Sequence, residues 1–484
     1  MIYSKLIAAT SGHSVTLVTG NFNAFHLGHV RLIEYARSFG GKLVVGIHGD
    51  RMEGVEAPLN ERKTLVERSG LADIIFEIES STLELIQTIQ PDVVVKGIEH
   101  YQQHDPAEAQ VIHSYGGRLF FAAGPLHANP TDKTEISNIA LDIFDPGEFL
   151  ARHRVTNNTN RSIQAFKGLK VAVIGDIIID EYVACEALGM SQEDPTIVVA
   201  PKGKKRFLGG ASIVAAHMGS LGANVKFFSV GGDNQDSEWV VNELKNFGVC
   251  THLTRLPDAG PVVKRRYKVE KKTMFRLNKI NNKFSDPKLV DRIYKNISKF
   301  IKEIDLVVIS DFSYGAVHQS LVTRVLDLCK ANDVFVAADS QTSSQTGDIS
   351  KFANVDLITP TELEARAAFN NIDDSLTVMV DHLYEKLYIK NIFVTLGAHG
   401  VFIQQNDDSS SLGPRSDQIP ALNKSVVDVA GAGDVFLAVS SMCLASGDSP
   451  WQAAYVGSIA AAVQVSRLGN IPLTIEEIME FAPK

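Results

Sequence analysis

The chain has 484 residues, 45% hydrophobic and 21% charged, with a formal net charge of −9 and a pI near 5.9. At roughly 150 residues per domain this is two or three globular domains, and the acidic balance excludes a nucleic-acid grip that rests on a surplus of Lys and Arg against phosphates. Cys185, Cys250, Cys329 and Cys443 stand far apart with no C-x-x-C pair, which excludes a disulfide framework or a cysteine zinc site and points to reduced thiols.

Met1 to Thr10 carries no charged n-region leading into an apolar stretch, and no apolar run approaches the roughly 18 residues that span a bilayer. The expectation is a cytoplasmic protein without membrane insertion. Val15–Thr19, Leu43–Ile47, Ile74–Ile78, Val93–Val95 and Arg118–Ala122 then read as short buried strands. Amphipathic stretches separate them at Val30–Phe39, Asn60–Ser69 and Thr82–Ile89. Strict alternation of this kind predicts βαβ units around a parallel sheet. The pattern stops near Leu150; the polar, aperiodic stretch 151–166 reads as a linker.

A second α/β series starts at Lys170–Gly175 and continues through Val225–Val230, Leu306–Ser310, Val334–Ala338, Leu357–Thr359 and Ile392–Thr395. Between about Ile197 and Asn278 the sequence turns strand-rich and Gly-containing, and part of it is expected to form a small β lid. Two short basic runs, Lys202 to Arg206 and Lys264 to Arg266, read either as solvated turns or as anion-facing loops. The domain expectation is 1–150, a linker 151–166, and 167–484.

The first chemical motif is Gly20-Asn21-Phe22-Asn23-Ala24-Phe25-His26-Leu27-Gly28-His29, directly after a strand and before a helix. Gly20 permits a sharp turn and close approach of a ligand to backbone, and Gly28 keeps the space beside the imidazoles open. His26 and His29 are three apart, so they share one face at a helix start. That helix start aims unpaired N–H groups at the same place, which suits a phosphate gaining charge during displacement. Half of a zinc site is the alternative. The segment resembles the H-x-G-H signature of cytidylyltransferase-like nucleotidyltransferases. Asn60-Glu61-Arg62, the run Pro91 to Gly97, and Thr134 to Asn138 follow in that family's order. The resemblance implies a Rossmann-like fold in which His26 and His29 stabilise the transition state at the α-phosphate while pyrophosphate leaves with Mg²⁺. Gly20, Phe22, Asn23, Gly28, Lys96, Gly97 and Ser137 become candidate nucleotide contacts. Asn23 stands where the family carries Asp, and the family's Ser-Thr-rich signature is thinned to Ile136-Ser137-Asn138.

The second motif is Asp428-Val-Ala-Gly431-Ala432-Gly433-Asp434, leading into an apolar helix. Small residues at a helix start let successive N–H groups face an anion. A carboxylate in the same turn can take a proton from a hydroxyl attacking a γ-phosphoryl group. A tight turn with Asp434 as a helix cap is the alternative. Gly175-Asp176, Asp180, Gly209-Gly210, Thr395-Leu-Gly397 and Thr361-Glu-Leu-Glu364 accompany the turn. The set resembles ribokinase-like (PfkB) sugar kinases. That resemblance implies Asp434 as catalytic base and the 431–434 N–H groups as anion hole. It also implies sugar contacts at Asp180, Gly209 and Gly210, nucleotide contacts at Thr395 and Gly397, and Glu364 near Mg²⁺. Thr361, Ile213 and Asn278 depart from the family pattern at positions that face sugar or metal, which points to an altered substrate.

The fold expectation is therefore α/β: a Rossmann-like nucleotidyltransferase domain plus a ribokinase-like domain with a β lid. Together the halves resemble bifunctional heptose-phosphate kinase/adenylyltransferases, with the halves in reversed order. This implies phosphorylation of a sugar phosphate at O1, then transfer of AMP or CMP from ATP or CTP, and a possible homodimer through the kinase half. A CTP-dependent polyol-phosphate enzyme, or one half acting as a sensor, are the alternatives.

Overall fold

The computed structural model describes residues 3–23, 25, 27–123, 146–155, 159–270, 272–280, 288–342, 347–370, 374–406, 413–423 and 425–482. Its strands, in chain order, begin with β1 (Val15–Gly20), β2 (Lys42–His48), β3 (Ile74–Ile78), β4 (Val93–Gly97), β5 (Arg118–Ala122) and β6 (Lys170–Gly175). Next come β7 (Ile177–Met190), β8 (Ile197–Gly210), β9 (Asn224–Gly231), β10 (Cys250–Arg255), β11 (Val262–Val269) and β12 (Lys272–Lys279). The series closes with β13 (Leu306–Asp311), β14 (Phe335–Ser340), β15 (Leu357–Ile358), β16 (Asn391–Thr395), β17 (Val401–Gln405) and β18 (Arg415–Ile419). The chain forms two compact units: Met1–Arg154 with Asn370–Pro420, and Val155–Phe369 with Ala421–Lys484.

In the first unit the strand order is β16-β17-β18-β5-β4-β1-β2-β3. The five N-terminal strands pair in parallel; the apolar runs of β1, β2, β4 and β5 are buried on both faces, as parallel sheets require, while the edge strand β3 is half-buried. Chain order runs from β1 to β2 and β3 on one side, then returns to β4 and β5 on the other. The switch point thus lies between β1 and β4, where Gly20 and Gly97 end their strands, and such crevices are where open α/β sheets bind ligands.

The sheet does not stop at β5. β18 pairs with it in parallel, Arg415 opposite Phe121 and Ser416 opposite Ala122. Asp417 of β18 is 2% exposed and accepts from Arg152 Nε at 3.1 Å and His153 Nε2 at 2.6 Å. Arg118 forms ion pairs with Asp381 and Glu385. These bonds hold residues 370–420 in the first unit. The stretch 151–166, expected as a linker, contains the end of helix Pro146–Arg152 and the whole of helix Thr159–Ala165. Phe149, Ile163 and Phe166 are buried, so these segments gain more from packing than from solvation.

In the second unit β10-β9-β6-β13-β14-β15 form a parallel sheet. Here the switch point falls between β6 and β13. A separate sheet, β12-β11-β7-β8, forms the lid. It starts earlier than the expected Ile197, because the 14-residue β7 carries Asp180 and Tyr182. Both basic runs lie inside lid strands, β8 and β11, so neither is a turn.

Candidate active sites

In the first unit, the chain leaves β1 at Gly20 and turns with Phe22 in the left-handed region, φ 53°. A bulky residue in that conformation costs on the order of 1–3 kcal/mol. Phe22 offsets this by burying its ring, only 2% exposed, 5.0 Å from the His29 imidazole. Phe25 stacks on the same imidazole at 5.8 Å and 10°. His29 stands in the first turn of the helix Leu27–Arg37, half-buried between the two rings.

Two asparagines clamp this turn to the 53–57 loop. Asn21 Nδ2 donates to Gly54 O at 3.0 Å, and Asn21 Oδ1 lies 2.6 Å from His48 Nδ1. Asn23 Nδ2 donates to Gly54 O at 2.7 Å, while its Oδ1 accepts from Glu56 N at 2.9 Å. A carboxylate at position 23 would face the Gly54 carbonyl with no proton to give, so this loop calls for the amide. Beneath lies Arg62, fully buried, the third residue of the Asn-Glu-Arg motif. It donates to Ala57 O at 2.7 Å, Asn21 O at 2.8 Å, His48 O at 2.7 Å and Asp50 Oδ1 at 2.8 Å. Its role is to lock the two loops together.

Lys96, the last residue but one of β4, lies at the same end of the sheet and is ion-paired with Glu108. Burial first, and then the Lys96 charge, hold His48 below the usual histidine range. Gly97 has an ordinary φ of −61°, and a Cβ there would lie 2.1 Å from the Glu99 carboxylate. Gly20, Phe22, Asn23, Gly28 and His29 fall on one turn, with Lys96 and Gly97 beside it. His26 and Ser137 lie outside the described residues.

In the second unit, Asp434 sits in the first turn of the helix Ala432–Ala445, whose N-cap is Gly431 at φ 79°. Besides that conformation, space demands glycine at 431, since a Cβ would meet Asn470 Oδ1 at 2.2 Å. At Gly433 a Cβ would meet no described heavy atom within 4 Å, so the backbone there is open to a ligand. Gln341 Nε2 donates to Asp434 Oδ1 at 2.7 Å. Burial pushes the Asp434 carboxyl up to about 7, the Asp180 and Glu364 charges add to that, and the Gln341 bond and Lys264 oppose it. A carboxyl poised near neutrality is what a general base requires.

Asp180 lies across from this turn, ion-paired with Arg266 and accepting from Asn470 Nδ2 at 3.3 Å. Gly209 allows that carboxylate to lie against β8, since a Cβ would come 2.5 Å from Asp180 Oδ2. Gly210 takes φ 60° and closes on the Asp176 carbonyl. The buried Asp176 carboxyl accepts from Phe312 N, Tyr314 N and Ala316 N at 3.0, 3.2 and 2.9 Å. It ties the end of β6 to the loop after β13 at the switch point.

Glu364 sits behind Thr342 and Thr361 rather than facing open space. It accepts from Thr342 N at 2.6 Å and from Thr361 N and Oγ1 at 2.8 Å each, so Thr361 and Glu364 form a capping box. Asp339, 3% exposed, has one carboxylate oxygen with no hydrogen-bond partner among the described residues. Burial, then Glu364 and Asp434, hold its carboxyl well above the usual range. That is a setting suited to a cation, although no three His, Cys, Asp or Glu among the described residues are grouped to hold a metal by themselves. Thr395 ends β16 and Gly397, at φ 60°, opens the short helix Gly397–His399; both belong to the first unit. Sequence reading missed Gln341, Asp339 and Asn470, which sit in no motif and reach Asp434 or Asp180 from distant segments. Lys264 and Arg266 had a basic run as their signal.

Comparison with known proteins agrees with both halves. A model of pfkB family carbohydrate kinases matches residues 169–477, and a cytidylyltransferase-like model matches residues 17–117. The bifunctional protein HldE of Helicobacter hepaticus is 29% identical over 321 residues, 65% of this chain and 64% of that protein. HldE of Campylobacter jejuni is 29% identical over 315 residues, 64% of each. The chain thus spans a little less than two thirds of these curated relatives. Among solved structures, the Arabidopsis thaliana ribokinase complexed with ribose and ATP matches with a TM-score of 0.53 at 17% identity, over 65% of this chain and 99% of that one. A Thermotoga maritima ribokinase matches with 0.51 at 22%, over the same shares. These two share the fold. The transferase match precedes the kinase match, and nothing in the comparisons supports reading this order as a reversal. With a kinase match unbroken from 169 to 477, the chain belongs to the pfkB family of carbohydrate kinases and carries a Rossmann-like, cytidylyltransferase-like domain ahead of it.

Proposed function

We propose that the protein is bifunctional and makes a nucleotide-activated sugar. The kinase half transfers the γ-phosphoryl group of ATP to the anomeric hydroxyl of a sugar phosphate, a heptose 7-phosphate. The transferase half couples the resulting sugar 1-phosphate to AMP or CMP from the triphosphate, releasing pyrophosphate. The observation that carries this reading is Asp434, a buried carboxyl near neutrality at a glycine-flanked helix start, facing Asp180.

In this reading Asp434 Oδ2 accepts the hydroxyl proton while Gln341 holds Oδ1. The 431–434 N–H groups receive the transferred phosphoryl charge. Mg²⁺ would be carried mainly by the nucleotide phosphates, with Asp339 facing it and Glu364 acting through water. Asp180, Gly209 and Gly210 orient the sugar, and Thr395 and Gly397 are nucleotide contacts on the strength of their motif. In the transferase half His26 and His29 stabilise the α-phosphate, with Gly20, Phe22, Asn23, Gly28, Lys96, Gly97 and Ser137 around the nucleotide. A homodimer through the lid is supported by its apolar residues, since Leu188 and Met190 are 61% and 59% exposed. A cytoplasmic location accords with described helices that are all too short or too polar to cross a membrane.

The test is a panel of sugar phosphates with ATP and CTP, products followed by mass. ADP release with a heptose 7-phosphate, then pyrophosphate release from the 1-phosphate, supports the proposal. Turnover of polyol phosphates with CTP alone would replace it with a polyol-phosphate enzyme.

A further inference from the structure

The strand that carries Asp180 also carries Tyr182, and residues two apart on a strand share one face. Tyr182 is 7% exposed, and its hydroxyl donates to Asp428 Oδ2 at 2.9 Å. Asp428 opens the turn that ends at Asp434. Its Oδ1 accepts from Ala430 N at 3.1 Å, and its Oδ2 accepts also from Gly469 N at 3.1 Å. One carboxylate thus joins a lid strand, the catalytic turn and the loop that follows the helix Pro450–Val465.

Packing holds the phenol where it can do this. Its ring meets Phe207 of β8 edge-on at 5.2 Å, with the Arg266 guanidinium and the Lys268 ammonium 5.2 and 4.9 Å from its centre. Phe207 lies in turn against Gly469, where a Cβ would come 2.6 Å from the ring, so glycine lets that loop reach Asp428. Burial first, and then the Asp428 carboxylate against the pull of Arg266, keeps the phenol well above the usual tyrosine range. It therefore stays a donor at neutral pH. Gln464 Nε2 donates to Ala430 O at 3.1 Å and to Gly469 O at 3.0 Å, a second tie between turn and loop.

These ties matter because of the residue that comes next. Gly431, at φ 79°, has no side chain to restrict its own conformation. The direction of the N–H groups after it is therefore set by whatever holds Asp428 and Ala430. Without the hydroxyl, Asp428 would keep backbone donors that belong to the turn and the loop themselves, and the tie to the lid would be gone.

We propose that Tyr182 is a positioning residue of the kinase half: through Asp428 it fixes the turn that aims the 431–434 N–H groups and Asp434 at the transferred phosphoryl group. This rests on reading Asp434 as the base and those N–H groups as the anion hole. Tyr182 itself donates to Asp428 and needs no contact with substrate.

The test uses the full chain with Tyr182→Phe, Asp428→Asn and the two combined, at a temperature where melting shows each to be folded. For whichever sugar phosphate is turned over, Tyr182→Phe is expected to lower kcat about tenfold, with its KM within about twofold of the parent. The pH limb that belongs to Asp434 is expected to stay in place. The double variant is expected to lose no more than the worse single one, because both substitutions break the same bond. Hydrogen exchange over 428–434, followed by mass without substrate, is expected to be faster in Tyr182→Phe. Any one of four results would overturn the proposal: an unchanged kcat, unchanged exchange over 428–434, losses that multiply in the double variant, or an effect confined to the sugar KM. Undiminished turnover by Asp434→Asn would instead overturn the base assignment, and the exchange comparison would still decide whether Tyr182 holds the turn.

Discussion

Gln341→Leu should move the kinase pH profile without erasing it. Gln341 donates the 2.7 Å hydrogen bond that favours the ionised form of Asp434, a carboxyl already raised to about 7 by burial. A hydrogen bond to a charged group contributes about 1.5–3 kcal/mol, and one pKa unit corresponds to about 1.4 kcal/mol. Removing the donor should therefore raise the Asp434 value by about one to two units. The base must be ionised to act and is about half ionised at pH 7 to begin with, so kcat/KM should fall roughly 5- to 50-fold at pH 7 and recover as the pH rises past 9. Profiles of kcat/KM from pH 5.5 to 9.5 report this value in the free enzyme, with pyrophosphate release by the same preparation as an internal control. A uniform loss at every pH, or a shift toward acid, would refute the reasoning.

Asp434→Asn should stabilise the protein at alkaline pH. A raised folded value means the native state binds this proton more tightly than the unfolded chain, so the carboxyl's contribution is full below the ordinary carboxylate range and is lost as pH rises toward 7. The variant should gain on the order of a few kcal/mol at pH 8.5 and little at pH 4, read by thermal melting. Asp417→Asn has the opposite sense. The His153 and Arg152 bonds hold that buried carboxyl below its usual range, giving stability that is present above the ordinary carboxylate range and lost as pH falls through the native value. Its loss should cost about 3–5 kcal/mol in urea unfolding at pH 7 and less at pH 3. Arg62→Ala should destabilise by about 3 kcal/mol or more, because it strips donors from three carbonyls and Asp50. Arg62→Lys should recover less than half, since an ammonium cannot fork between them. His29→Ala should abolish pyrophosphate release while the ATP-consuming activity persists, measured on one preparation.

What the sequence disclosed was local. Gly20 to His29 and Gly431 to Asp434 each place a strand or loop end, a glycine and a helix start within a few residues, and that geometry needs no distant partner. The buried strands β1, β2, β4 and β5 were legible because parallel strands covered on both faces read as continuous apolar runs. Arg62 was visible as part of a motif but not as a scaffold, since its four acceptors come from elsewhere in the fold. Gln341 and Asn470 reach their carboxylates from segments more than 90 residues away, and neither sits in a recognisable pattern. β7 was not anticipated, because Asp180 and Tyr182 break its apolar pattern, although Arg266 pairs with the first and Asp428 accepts from the second. The pairing of β18 with β5 could not be read at all, since one register in a sheet edge leaves no periodic trace.

That pairing has a consequence during synthesis. The strand that covers the β5 edge leaves the ribosome roughly 300 residues after β5 itself, about 15–60 s later at ~5–20 residues per second. Throughout that interval the nascent transferase sheet presents an uncovered row of amides and carbonyls, the template from which intermolecular strand pairing starts. Translation pauses between positions 122 and 415 should therefore lower the soluble yield, and early chaperone engagement should restore it.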